Sequence, residues 1–383
     1  MPPRPFALAA LLLPFLGSTP ALAGTRIIDP STAIMVTPFH EAHAVRGDDG
    51  RDHVEYDLLI TNVFDGPVTV SSIEITNEAG KVVGHLDGSE LAAATQMLLE
   101  GKVKAIPPSA SVAIEIDLVL SPGPLPTRLS HRLAYDFAPA DPHASMIGSR
   151  EVVGPEVAIA PSAPVTLVPP LSGPGWTAMN GCCVPNVHRD VRIAAGTRIA
   201  TPETFAIDWI QLKGDRFFEG DGKQNKQYPY FGSDVRAVAD GEIVGLHDGM
   251  AESVPLQPPT TVHAPDDYGG NFVILRIRPD VYAIYAHLQP GKMRVKLGDK
   301  VKAGAPIGKL GNSGNSTAPH LHFALLDRPN LLTANSLPFV LDDYELTGKV
   351  DATKSDDDRL EVMPASGKIK GAYPLVFGIA TFR

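Results

Sequence analysis

Two imidazoles one residue apart, His320 and His322, stand in the run Pro319-His320-Leu321-His322-Phe323. Alternate side chains of a strand share a face, so both rings would point one way with Leu321 turned into the core behind them. Such a pair can hold a metal directly, or supply one ligand with an acid/base group beside it. A third imidazole, His287, ends the run FVILRIRPDVYAIYAHL, whose apolar content and alternation read as paired strands. A carboxylate, Asp208, sits inside the apolar segment FAIDWI. An aspartate there is costly unless it is paired or bound to a metal.

The connecting segments sharpen this constellation. Gly298-Asp299-Lys300-Val301-Lys302-Ala303-Gly304 gives a turn, a short strand and a second glycine turn. The loop GNSGNST, residues 311–317, is small and polar and delivers the chain into Pro319. Together YAHL, GDKVKAGAPIG and GNSTAPHLHF resemble the lysostaphin-type zinc endopeptidases, which cut peptide bonds in bacterial cell-wall peptidoglycan. The resemblance covers residues 206–326. It implies an antiparallel β metallopeptidase domain, Zn2+ as cofactor and a peptidoglycan peptide as substrate in a bacterial cell. It further implies that Asp208 and His322 are metal ligands. His287 and His320 then match the two histidines that orient or deprotonate water and stabilise the oxyanion. The hairpin 301–308 is also similar to that of biotinyl and lipoyl carrier domains, but no modifiable Met-Lys-Met or Asp-Lys-Ala stands there.

A three-ligand zinc site needs one more histidine. The family's pattern places it four residues before the aspartate, where this chain has Thr204. Three candidates remain: His188, which a hairpin turning at Gly196 and Pro202 could bring back beside Asp208; His247, after the strand EIVGL; and His263, in the loop QPPTTVHAPDD. His188 is the preferred assignment. The polar and aromatic insertion 212–232 is expected to form one wall of a substrate groove, with Asn225, Tyr228 and Tyr230 as contacts.

These residues need a scaffold, and the chain's turn-rich composition, Gly 35 and Pro 36 in 383 residues, favours short strands over long helices. Residues 1–23 read as a secretory signal: Arg4, an apolar run too short to span a bilayer, then Ala21-Leu22-Ala23. Export follows from it, with no membrane-spanning segment in the mature chain. Residues 24–160 carry alternating segments spaced as in an immunoglobulin- or fibronectin-like antiparallel sandwich. The exception is 88–100, rich in helix formers and expected as a helix. The histidines of this half, among them His53 and His131, follow no metal-ligand spacing.

A proline-rich stretch, 161–175, reads as an extended linker. The metallopeptidase domain follows over 176–345, and 346–383 is a C-terminal extension whose PLVFGIATFR adds an edge strand. The formal charge is −10, and one unit more negative without Arg4; with no basic patch, nucleic acid is excluded as a partner. Cys182 and Cys183 are the only cysteines. Outside the cytoplasm they form either a vicinal bridge or two separately buried thiols. A non-catalytic relative that binds cell wall or an amidase partner is the alternative to the enzyme.

Overall fold

The computed structural model describes residues 30–98, 101–138, 143–355 and 359–383. The signal sequence expected over 1–23 lies outside them. Antiparallel β structure dominates both halves, as the alternation of the sequence predicts.

In the N-terminal half two sheets face one another. One orders Ile34–Pro38, Asp52–Asn62, Ser111–Leu120 and Thr95–Met97, with His43–Arg46 also on Asp52–Asn62; the other orders Val82–Asp87, Val68–Asn77, Arg128–Phe137 and Glu151–Ala158. Period-two alternation sends Val54, Tyr56, Leu58 and Ile60 into the shared core, with Ile73, Ile75, Leu129 and Leu133 opposite. The residues between them, His53, Glu55 and Asp57, point to the other face and are buried as well. That face is covered by the C-terminal half.

The helix expected over 88–100 is shorter. It spans Gly88–Ala94, and Thr95–Met97 instead pairs with Ser111–Leu120. A free strand edge beside Val112 and Ile114 outweighs local helix propensity. Glu100 lies outside the described residues.

The C-terminal half is built on one sheet of eleven strands. Its central run is Gly241–His247, Asn271–Arg278, Val281–Leu288, Leu321–Leu326, Ile207–Gln211, Gly173–Met179, Gly378–Phe382, Tyr344–Val350 and Val362–Ile369. PLVFGIATFR therefore does not form an edge: Gly378–Phe382 is hydrogen-bonded on both sides. Alternating Phe382 and Ala380 pack into the same core as Trp176 and Trp209, which explains the interior place. The stretch read as a linker is likewise built in, since Val165–Leu167 pairs in parallel with Phe339–Leu341 and Gly173 opens a central strand. Pro174 is tolerated there because it falls at a register shift, where the ladder is already interrupted.

Cys182 and Cys183 are joined to each other by a disulfide. The native protein should therefore show a mass two hydrogens below the dithiol and resist alkylation until reduced. Ready labelling of both thiols without reductant would reject the bridge.

Candidate active site

Three neighbouring strands assemble the site. His322 is register partner to Asp208 on one side and to Ala286 on the other, so these side chains share a face. The alternate residues, Trp209, Leu321, Phe323 and Tyr285, fill the core behind. His320, two residues before His322, falls on the same face. His287 follows Ala286 and regular alternation would turn it away; its φ of 62° and the adjacent register shift bring its ring to 4.7 Å from that of His320. A non-glycine residue in the left-handed region costs of order 1–3 kcal/mol and persists where the surroundings hold it. Here the hold is visible: His287 N–H donates to the Gly269 carbonyl (2.9 Å) and Nδ1 donates to the Ser313 carbonyl (2.7 Å).

His188 reaches the same place from a loop. Its Nε2 lies 3.1 Å from Asp208 Oδ2, while His322 Nδ1 lies 3.0 Å from Asp208 Oδ1. The ligand atoms of His188, Asp208 and His322 all fall within 4.8 Å of one another. His247 instead donates from Nδ1 to the Gly270 carbonyl and packs on Phe272, and neither it nor His263 lines the cavity. Thr204 is buried with its hydroxyl toward the Thr201 carbonyl. Of the three candidate histidines, then, the fold brings His188 to Asp208.

A cavity of about 390 Å³ opens over this cluster. Asp208, His188, His287, His320 and His322 all line it. The insertion 212–232 does not supply its wall. Tyr228 and Tyr230 are buried in the core, Tyr230 against Trp176 and Tyr228 with its hydroxyl on the Gly222 carbonyl. Asn225 spends its amide on Ser253 and Asn312. Large aromatic rings gain more by burial than by standing in solvent, and the insertion folds back accordingly. The walls come instead from Val187, Val191, Pro202, Tyr268, Asn315 and Leu331.

Two site residues carried no signal in the sequence. Asn180, in the turn Asn180-Gly181, donates to Asp208 Oδ2 at 2.8 Å and holds the carboxylate's orientation. Glu203, also buried and on the cavity wall, has carboxylate oxygens 3.9 Å from His188 Nε2 and 4.0 Å from His322 Nε2. Nothing in TPETF distinguishes it from a surface glutamate.

Electrostatics separate the imidazoles. Burial, reinforced by neighbouring His320 and His322, pushes His287 well below the usual histidine range and keeps it neutral. For His188 burial acts the same way, but the Asp208 charge more than offsets it and holds the ring up at about 9. Burial alone would raise Asp208; the charges at His188 and His320 overcome it and hold the carboxyl well below its normal value. A carbonyl can only accept, so the bonds to Ser313 and Ala318 fix the hydrogen of His287 and His320 on Nδ1. In neutral His287 Nε2 is then the acceptor, whereas His320 Nε2 faces Asp208 Oδ1 at 3.3 Å, a carboxylate oxygen that can only accept.

The loop behind His287 has its own titrating brace. Glu252 accepts from the Asn312 N–H, and burial pushes its carboxyl up to about 7 against that bond's pull. The folded chain thus holds a proton that the unfolded chain releases near the ordinary glutamate value. Stability from the neutral form is full below about pH 4.5 and is lost as pH rises through 7. Glu252→Gln, which mimics the neutral form, should raise Tm relative to the parent at pH 8 and leave it unchanged at pH 4.5. Equal shifts at both values would remove the proton from the account.

Comparison with known proteins finds matches over part of the C-terminal half. Residues 227–331 match Peptidase family M23. Over 111 residues the chain is 34% identical to the glycyl-glycine endopeptidase ALE-1 of Staphylococcus capitis, covering 28% of this chain and 26% of that protein. Over 95 residues it is 41% identical to the peptidoglycan DD-endopeptidase ShyC of Vibrio cholerae, covering 25% and 19%. Among solved structures, the catalytic domain of lysostaphin from Staphylococcus simulans is 30% identical, covering 33% of this chain and 86% of that one. Its TM-score of 0.20 is too low for the superposition to add to the sequence match. Residues 227–331 are thus similar to the lysostaphin-type M23 metallopeptidases. The matched family segment contains His287, His320 and His322 and stops short of Asp208 and His188, and the chain spans about a quarter or less of these curated relatives.

Proposed function

We propose that the chain is an exported zinc endopeptidase that hydrolyses peptide bonds of peptidoglycan, in stem peptides or their cross-links. The observation that carries this reading is the convergence of His188, Asp208 and His322 on one cavity wall with His287 and His320 beside them. Two imidazole nitrogens and one carboxylate within a single ion's reach are a fitting donor set for zinc, and the carboxylate supplies the negative charge a buried dication needs. A second group, His287, His320 and His322, meets the same distance but offers no carboxylate. The substrate class rests on the activities for which ALE-1 and ShyC are named.

Bound by His188, Asp208 and His322, zinc supplies a Lewis acid for the scissile carbonyl and acidifies water. The chain's own groups do the rest. His287, neutral and with Nε2 free to accept, takes the water's proton. His320 stands beside it and, as an imidazolium with a hydrogen on Nε2 as well as on Nδ1, stabilises charge developing on the carbonyl oxygen. Asn180 keeps Asp208 from rotating out of the ligand set. Among the described residues no helix is long and apolar enough to cross a membrane.

The full chain should contain about one zinc per molecule and release new amino termini from purified peptidoglycan, both abolished by chelation and restored by zinc. A folded protein that takes up no metal and leaves peptidoglycan intact would overturn the reading in favour of a binding module.

A further inference from the structure

His188 does not stand on a strand. It lies in the loop between Gly173–Met179 and Ile193–Ala195, whereas Asp208 and His322 stand on strands. What fixes this loop is the N-terminal sandwich. Arg189, the next residue, is buried with its guanidinium on Asp57 Oδ1 (2.7 Å) and on Glu55, and Arg192 donates to Glu115 at 2.6 Å. These acids sit on the sheet face that points away from the sandwich core. Asp57 is register partner to Glu115, and Glu55 to Asp117. Like charges directly opposite on one sheet face destabilise it. His53 answers Asp117, and the two arginines answer the rest.

We propose that the sandwich is a built-in part of the metal site, with Arg189 as a positioning residue that sets His188 against Asp208. This rests on the assignment of His188 as a ligand. It accounts for the displaced histidine: with Thr204 standing four residues before Asp208, the ligand comes from a separate loop, and a loop needs a second body to order it.

The test compares full-length variants. The triple variant Glu55→Gln/Asp57→Asn/Arg189→Gln leaves no stranded charge, and Arg189→Lys keeps the charge without the fork that grips two carboxylates. Val157→Ala, a sandwich-core truncation remote from the loop, serves as the stability control. Zinc affinity is measured by competition with a chelator, ligand geometry by the visible spectrum of the Co2+-loaded protein, and folding by circular dichroism and thermal unfolding.

The triple variant should bind zinc about 10-fold or more weakly and show an altered Co2+ spectrum. Arg189→Lys should fall between it and the parent. Val157→Ala should lose thermal stability with parental affinity and spectrum. Parental affinity and spectrum in the folded triple variant, with His188→Ala weakened, would overturn the positioning role alone. Parental zinc binding in His188→Ala would overturn the ligand assignment and the inference with it. Should the triple variant not fold, Arg189→Lys decides on the same two readouts.

Discussion

His322→Ala should lose its zinc while keeping its fold, and with the zinc all measurable turnover. The side chain faces the cavity, and its strand is held by Ile207–Gln211 on one side and Val281–Leu288 on the other, so removing the ring leaves the ladder intact. His322 is also the one residue common to both possible donor groups, the triple with His188 and Asp208 and the triple with His287 and His320. Whichever group holds the ion, two ligands remain. Outer partners of ligands are typically worth 10–100-fold in affinity, so loss of a ligand itself should exceed about 100-fold. A parental zinc content in this variant, measured by atomic absorption, would sink the assignment of the site.

His287→Ala and His320→Ala should behave in the opposite way. Both should retain about one zinc per chain and lose roughly 10²–10⁴-fold in turnover, the scale of a positioned acid or base. Each ring spends Nδ1 on a backbone carbonyl, which aims it without making it a ligand of the group that includes Asp208. Metal analysis of the two variants also decides between the donor groups. A metal-free His287→Ala or His320→Ala protein would place zinc among the three clustered histidines instead.

Part of the cluster was legible in the sequence, because period-two alternation puts His320 with His322 and sets Asp208 apart from the apolar side chains around it, whereas the place of His287 depends on a left-handed backbone and a register shift that alternation does not show. The β architecture of both halves was legible for the same reason. His188 was one of three open candidates, since no local pattern says where a loop residue returns. Tyr228 and Tyr230 misled: aromatic residues in a polar insertion read as a groove wall, yet their rings complete the core. Glu203 and Asn180 were invisible because their roles depend on distances across the fold. Gly378–Phe382 read as an edge strand because the sequence does not show which partners lie on either side.

The carboxylates on the outer face of the sandwich also bear on how such a chain could diverge. A domain exchanged by recombination must bring a surface that tolerates a new neighbour. Here Glu55, Asp57 and Glu115 are buried against arginines of the other half. Grafted onto a peptidase without counterparts of Arg189 and Arg192, the sandwich would carry like charges into an interface with nothing to neutralise them. Its ancestry should therefore follow that of the residues 188–192 in step, with substitutions at the acids accompanied by substitutions at the two arginines.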